Sequence, residues 1–454
     1  MEENRTQEQV TPRKLKLREK TLAYVVDHQE HSIIVPIVLT VILLAALIFI
    51  GVSDRKNVLA YSSDKKAHSS ANDDLARYTF AGDIVLGRNV TVRAEDVGYD
   101  KLFAKMQKLW ENSDMVMANL DSCVIEGDVD EYEKLAQKKA YFYTDRSKLS
   151  SLKEAGIDVL SIATDHIADY GRSTIRTCID ELDSLGIIHV GAGIDRESAA
   201  QYHIAEVTTA SGKTIKIAIF GALGHQDDKF GARAMRTQDD DSVGSDLYYS
   251  DFDDIFTVPD EPVTDNTISD DTAQSDVTGS DESYDPWEVT AGTFSGRNQM
   301  LIDSINDVRS QVDCVVVYIH WGDDKMFVES NDMRELAHTY IDAGADIIIG
   351  TNPRVLLPVE TYKSNVKTGY IFYSIGSLVY DDAESRVCDS MLLDLVIDED
   401  MNKRLEITPL RINSSIPGET VNGFYTKRIF AQLTKNLDKS LCEYDGNKLI
   451  ITMN

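Results

Sequence analysis

Between residues 78 and 398 the chain alternates short apolar runs with segments whose apolar residues recur every three or four positions. The runs YTFAGDIVL (78–86), DMVMANL (114–120), IDVLSIA (157–163), TIKIAIFGAL (214–223), DCVVVYIH (313–320), ADIIIG (345–350), GYIFYSIGS (369–377) and MLLDLVID (391–398) predict strands. Helical patterns fall at 99–110, 146–155, 172–185, 297–311 and 332–343. Alternation of this kind predicts an α/β domain. The short turns YKSNVKTG and DEDMNKR add antiparallel hairpins, so mixed sheets with helices outside are expected. In GADIIIGTNPRVLLPVE (344–360) the pattern predicts a strand through Ile349, a tight turn at Gly350, and a second apolar strand after Pro353 that ends at Glu360.

Two segments break this rhythm. Residues 33–52 form an uncharged apolar run of the length a bilayer span requires, preceded by the basic stretch PRKLKLREK. A cleaved leader would have a shorter apolar region and a small-residue cleavage site, so an uncleaved signal anchor is expected. The positive-inside rule then places 1–32 as a cytoplasmic tail, 53–76 as a polar stalk, and the rest outside the cell membrane. Residues 225–292 carry roughly half of the net charge of −30 and few large apolar groups. They predict a disordered acidic insertion in a domain spanning 77–412, followed by a C-terminal extension over 413–454 that packs on it. A Ca²⁺ loop is disfavoured there, because the carboxylates lack the spaced ligand pattern.

The charge excludes a nucleic-acid partner, since phosphate binding needs clustered Lys and Arg, and it suits a surface facing water or a cationic wall. Five scattered cysteines without a CxxC pair imply neither a disulfide framework nor a zinc knuckle; they fit buried apolar positions. Four loops at strand ends hold the candidate chemistry: Asp83 in AGDIVLGR, Asn119 and Asp121 in ANLDSCV, Asp165, His166 and Asp169 in SIATDHIADYG, and His320 with Asp323 and Asp324 in YIHWGDD. Singly, each has a structural use: an Asp in a turn, a hydrogen-bonded His, a helix cap at Asp165. Together they place carboxylates and imidazoles at equivalent strand ends, as a hard divalent ion requires.

The motifs FAGDIVLGR, NLDS, SIATDHIADYG, GIIHVGAG, YIHWGDD, AHTYIDAGADIIIGTNPRVLLPVE and YSIGSLVYDD occur in the order of the CapA family of capsule biosynthesis proteins, which the chain resembles over about residues 78–412. The resemblance implies a calcineurin-like metallophosphoesterase fold, a four-layer αββα sandwich with one N-terminal transmembrane helix, and a link to poly-γ-glutamate synthesis. It maps family ligands onto Asp83, Asn119, Asp121, Asp165, His166 and His320. The family's Gly-x-His-Pro-His is here Gly350-Thr351-Asn352-Pro353-Arg354, and its Gly-Asn-Phe is Gly376-Ser377-Leu378. Asn352 still offers a carbonyl oxygen. Arg354 has no acceptor, and it is expected to place its charge where a cation would lie, pairing with Asp83, Asp121 or Asp165. The exchange predicts a site with one divalent ion (Mn, Mg, Zn or Fe) or none, suited to anions.

Three functions stay open. The first is a membrane-anchored protein supporting synthesis or export of an anionic polymer, working with other capsule-synthesis membrane proteins, with Arg88, Asn119 and Arg354 contacting the anion. The second is a metal-dependent phosphoesterase using Asp83, Asp121, Asp165, His166, His320 and Asn352, with His166 or His320 protonating a leaving group. The third is an inactive scaffold.

Overall fold

The computed structural model describes residues 75–134, 138, 140–224, 292–293, 299–365 and 367–453. The apolar run 33–52 and nearly all of the acidic stretch 225–292 lie outside them. Among the described residues no helix is long and apolar enough to cross a membrane.

Strands β1 (Leu75–Ile84) and β2 (Met115–Leu120) are followed by the short parallel pair β3 (Cys123–Ile125) and β4 (Tyr143–Asp145), then β5 (Val159–Ser161), β6 (Ile188–Val190) and β7 (Ala192–Gly193). The hairpin β8 (His203–Thr208) and β9 (Thr214–Leu223) comes next, and β10 (Gly292–Thr293) pairs with β7. Strands β11 (Cys314–His320), β12 (Ile347–Thr351), β13 (Val359–Lys363), β14 (Thr368–Phe372) and β15 (Ser377–Val379) precede the long hairpin β16 (Asp389–Asp398) and β17 (Lys403–Asn413). Strands β18 (Ile416–Glu419), β19 (Cys442–Asp445) and β20 (Lys448–Thr452) follow.

These strands make two large mixed sheets. The 10-stranded sheet runs β19-β20-β17-β16-β1-β2-β5-β6, with β15 beside β1 and β18 beside β17; the 6-stranded sheet runs β13-β14-β12-β11-β9-β8. Side-chain alternation in β11 assigns each face to a core: Cys314, Val316 and Tyr318 meet Tyr78, Phe80 and Met117 between the sheets, while Val315, Val317 and Ile319 turn outward onto helix residues. Burial on both faces explains why β11 is apolar up to its last residue, His320. Two tyrosine hydroxyls cross the inter-sheet layer: Tyr318 donates to the Ala81 carbonyl, and Tyr78 donates to the Ile215 carbonyl at 3.2 Å. Each satisfies a polar atom whose unpaired burial would be costly.

The outer layers are amphipathic helices. Ser173–Leu185 buries Ile175, Cys178, Ile179 and Leu182 against the larger sheet and ends at Gly186 in the left-handed conformation. Asn331–Ala343, capped by the Ser330 hydroxyl, buries Met333, Leu336, Ala337, Tyr340 and Ile341 against the smaller one. The architecture is thus mixed α/β, with sheets inside and helices outside.

The structure corrects three details of the expected pattern. The strand at 345–350 runs on through Gly350 to Thr351, and the next begins only at Val359, so residues 352–358 form an irregular loop with one isolated bridge, Leu356 to Ile375. The run 369–377 is not one strand. It ends at Phe372, and after Gly376 at φ +75° it resumes as β15 in the other sheet, with Ser377 beside Asp83. The crossing is tight, since a Cβ at Gly82 would meet the Gly376 carbonyl oxygen at 2.0 Å. The span 53–76 includes the start of β1 at Leu75. Residues beyond 413 add β19 and β20 to the larger sheet, and the helix Phe424–Leu433 contributes Ile429, Phe430 and Leu433 to the inter-sheet core.

Candidate functional site

Five parallel strands from both sheets end at one place. Asp83 lies near the end of β1 in register with Asn119 of β2, and His320 ends β11 in register with Thr351 of β12. Asp121 follows β2; Thr164, Asp165 and His166 follow β5; Asn352 and Arg354 follow β12. Carboxyl ends of parallel strands are where open α/β sheets place their ligands.

A hydrogen-bonded network ties these groups together. Asn119 Nδ2 donates to Asp83 Oδ1 at 2.8 Å, and Asn352 donates its backbone N–H to Asp83 Oδ2 at 3.0 Å. His320 places Nδ1 3.1 Å from Thr351 Oγ1 and Nε2 3.0 Å from Asp165 Oδ1. The Thr164 hydroxyl donates to Asp121 Oδ1, and Arg354 Nη2 donates to Asp121 Oδ2. His166 sits with Nδ1 2.6 Å from Asp169 Oδ2 and Nε2 3.6 Å from Asp165 Oδ2.

Arg354 is 2% exposed. Besides Asp121, its guanidinium lies 3.7 Å from Asp83 and from Asp324, and over the Tyr380 and Phe142 rings at 4.5 and 5.4 Å. Pairing with Asp121 and Asp83 agrees with the expectation; Asp165 is instead matched by His320 and Lys138, and Asp324 is added. Arg88 flanks the site without touching its carboxyl cluster. It covers the same Phe142 and Tyr380 rings at 4.9 and 5.3 Å and is held by the Tyr380 hydroxyl and Asp381. Asn352 was expected to offer a carbonyl oxygen, but the contacts it makes are its N–H to Asp83 and its side-chain amide to the Gly322 carbonyl at 2.6 Å.

The charges are strongly perturbed. Burial raises the Asp121 carboxyl, but Arg354, then His320 and His166, outweigh it and hold the group at about 2. Asp165 is also pulled well below the usual carboxylate range, against its burial, by His166, His320 and Lys138. Burial disfavours a charged His320, yet Asp121, Asp165 and Asp83 raise its pKa to about 10. His166 moves up too, as Asp165 and Asp169 overcome its burial.

Asp121, Asp165 and His166 offer ligand atoms that all lie within 4.8 Å of one another, and the buried Asn119 Oδ1 has no hydrogen-bond partner among the described residues. Two carboxylates and an imidazole so grouped fit one hard divalent ion. A second ion does not fit beside it, because the corner between Asp83 and Asp121 is filled by the Arg354 guanidinium.

Several members escape sequence reasoning. Lys138 donates to Asp169 Oδ1 at 2.6 Å and to the Asp165 carbonyl; Phe142 donates its N–H to Asp169 Oδ2 and stacks on His166 at 3.9 Å. Thr164, Thr351 and Tyr380 lie inside the quoted motifs, but their residue types are neither strong metal ligands nor general bases and did not single them out; Asp169, a candidate from the sequence, stands in the network.

Fold and site together define a mixed α/β protein with a carboxylate–imidazole centre at the carboxyl ends of its parallel strands. The chain belongs to the bacterial capsule synthesis protein PGA_cap family, which it matches over residues 77–382. It is 26% identical over 415 residues, 91% of this chain and 89% of the relative, to the PGA biosynthesis protein CapA of Bacillus subtilis (strain 168). It is also 26% identical over 381 residues, 83% of this chain and 77% of the relative, to the capsule biosynthesis protein CapA of Bacillus anthracis. A solved protein of Thermus thermophilus aligns at TM-score 0.32 and 8% identity over 70% of this chain and 94% of that chain, too distant to carry an argument.

Proposed function

We propose that this chain is a membrane-anchored protein that supports synthesis or export of an anionic surface polymer of the poly-γ-glutamate type. The domain faces outward and works beside other capsule-synthesis membrane proteins. Family membership and the two CapA relatives support the process. The apolar run 33–52 supports the anchor, and the two facing sheets with outer helices support a four-layer fold of the calcineurin-like metallophosphoesterase type.

The observation that carries the reading of the site is Arg354, buried against Asp121 and Asp83. Arg354 supplies a fixed positive charge, Asp121 and Asp165 anchor the opposing charge, and His320, its pKa raised to about 10 by the carboxylates around it, lies between Asp83 and Asp165. Asp121, Asp165 and His166 would hold one divalent ion, which when bound polarises an oxygen ligand and lowers the pKa of bound water. Their 4.8 Å grouping favours, as a second reading, a metal-dependent hydrolase acting on the polymer or its precursor.

The test deletes the coding sequence in its host and restores either the native chain or Asp121→Asn. Surface polymer is expected to fall on deletion, return with the native chain, and stay low with the variant. Unchanged polymer on deletion overturns the process; full rescue by the variant overturns the site. Metal analysis of the purified protein separates the two readings, with one equivalent favouring the hydrolase and none favouring anion binding.

A further inference from the structure

We propose that Arg88 and Arg354 together form a cradle for one carboxylate group, walled by the rings of Phe142 and Tyr380. This rests on the reading of the protein as one that handles an anionic polymer, and it names the residues that grip a single acidic group of that polymer.

Two like charges share one pair of rings. The Arg88 guanidinium lies 4.9 Å from the Phe142 centroid and 5.3 Å from that of Tyr380, and the Arg354 guanidinium lies 5.4 and 4.5 Å from the same two. Ring faces hold a guanidinium and fix its plane, but they carry no net charge to neutralise it. The carboxylates that answer the two cations are separate ones. Asp381 pairs with Arg88, whereas Asp121, Asp83 and Asp324 surround Arg354; among the described residues none pairs with both.

Both forks keep donors in reserve. Arg354 is buried, yet its Nε and Nη1 have no hydrogen-bond partner among the described residues, since Asp324 and Asp83 stand 3.7 Å from them. Buried donors so placed cost free energy that an accepting oxygen returns. Arg88 donates from Nη1 to the Tyr380 hydroxyl at 2.9 Å and sets Nε 3.4 Å from Asp381, which leaves Nη2 unbonded on a side chain that is 38% exposed. Asp381 is itself held, its Oδ2 accepting from the backbone and side-chain nitrogens of Asn89 at 3.2 and 3.0 Å. Arg88 is thus a rigid, open fork and Arg354 a rigid, closed one. A planar guanidinium fork matches the two oxygens of a carboxylate, and two forks on one wall grip it from two directions. Asp324 beside Arg354 repels a second negative charge, which favours a singly charged carboxylate over a doubly charged phosphate. Lys325 does not compete for the ligand, being committed to Asp382 at 2.6 Å and Glu384 at 3.4 Å.

The test is calorimetry on the full chain, stripped of metal by a chelator and dialysed free of it, with γ-linked tetraglutamate, its neutral tetraglutamine counterpart and inorganic phosphate as probes. The wild type is expected to bind tetraglutamate, to bind phosphate less tightly, and to leave tetraglutamine unbound. Arg88→Gln should weaken tetraglutamate binding by about 10–100-fold. Arg88→Lys keeps the charge but loses the fork, so it should recover only part of that loss. Arg354→Lys should weaken binding as well. Because Arg88 is half-exposed, its variants should melt near the native temperature, which separates lost binding from lost structure. Tetraglutamate bound equally by the wild type and Arg88→Gln overturns the cradle and leaves the polymer reading standing. Phosphate bound more tightly than tetraglutamate, and released by Arg88→Gln, overturns the carboxylate as the ligand. A wild type that binds neither anion overturns the cradle outright, and the polymer reading is then decided by the deletion experiment alone.

Discussion

Replacing Arg354 with Ala removes the guanidinium buried against both Asp83 and Asp121. In the native protein the folded pKa of Asp121, about 2, lies below the unfolded value of about 3.9, and that gap is worth on the order of 2–3 kcal/mol of stability at neutral pH. Without the guanidinium, burial becomes the dominant influence and drives the same carboxyl above its unfolded value. Removing one partner of a buried pair costs about 3–5 kcal/mol. At roughly 2 °C per kcal/mol for a domain of this size, the melting temperature should fall by at least about 6 °C. The pH dependence reverses in sign. The native Asp121 contributes stability above pH ~4 and loses it as the pH falls toward 2. In the variant the raised pKa contributes stability only at low pH and loses it as the pH climbs through the folded value. The deficit is therefore greatest near neutrality and narrows toward pH ~4. Denaturant unfolding of both proteins over that range measures it, and Mn²⁺ should restore part of the loss. A deficit below ~1 kcal/mol, or one that does not change with pH, refutes the idea that Arg354 neutralises these carboxylates.

Three further outcomes are expected. The raised pKa of His320, about 10 against ~6.5 unfolded, gives stability that is full below the unfolded value and lost as the pH rises through the folded one; unfolding measured up to pH ~10 should show a loss that His320→Gln removes. Gly350→Ala would set a Cβ 2.2 Å from the Tyr373 carbonyl oxygen and 2.4 Å from Trp321 Nε1, and thermal melts should record about 1–3 kcal/mol of destabilisation. Protease added to intact, wall-stripped cells should remove the domain and spare the N-terminal tail, whereas a protected domain contradicts the anchor at 33–52.

The sheets were legible because their strands are apolar on both faces and bounded by turns, as in β9, β11 and β16. Helices with a full apolar stripe, such as Ser173–Leu185, were equally plain. The helix Arg88–Val97 was not, because only Val90 and Ala94 are buried on it and no periodic signal results. The break inside 369–377 was hidden as well: Tyr373 and Ile375 are as buried as their neighbours, and only the turn at Gly376 separates the two sheets. At the site, the carboxylates and imidazoles that follow apolar strands were found, since strand ends mark position locally, whereas Thr164, Thr351 and Tyr380 stand at strand ends too but carry less telling side chains. Lys138 and Phe142 follow no apolar strand and reach the site from a loop, as the contact of Phe142 with His166 shows only in the folded chain.

The altered loop and its surroundings also share a backbone property that motif comparison does not show. Among the described residues eight non-glycine positions have positive φ, and four of them, Arg88, Lys325, Asn352 and Arg354, surround this one site. A left-handed conformation at a long side chain costs on the order of 1 kcal/mol or more, and such positions concentrate where function over-determines the structure. At 352 and 354 the strain has a visible consequence. At φ +87° Asn352 turns its N–H onto Asp83, and at φ +63° Arg354 folds its guanidinium back to Asp121. A loop under selection for stability alone would carry glycine at these positions, as the chain does at the positive-φ turns of Gly322 and Gly376. With Asn and Arg there, the strain is tied to the charges they hold: it places one N–H on Asp83 and one fixed cation between Asp83 and Asp121.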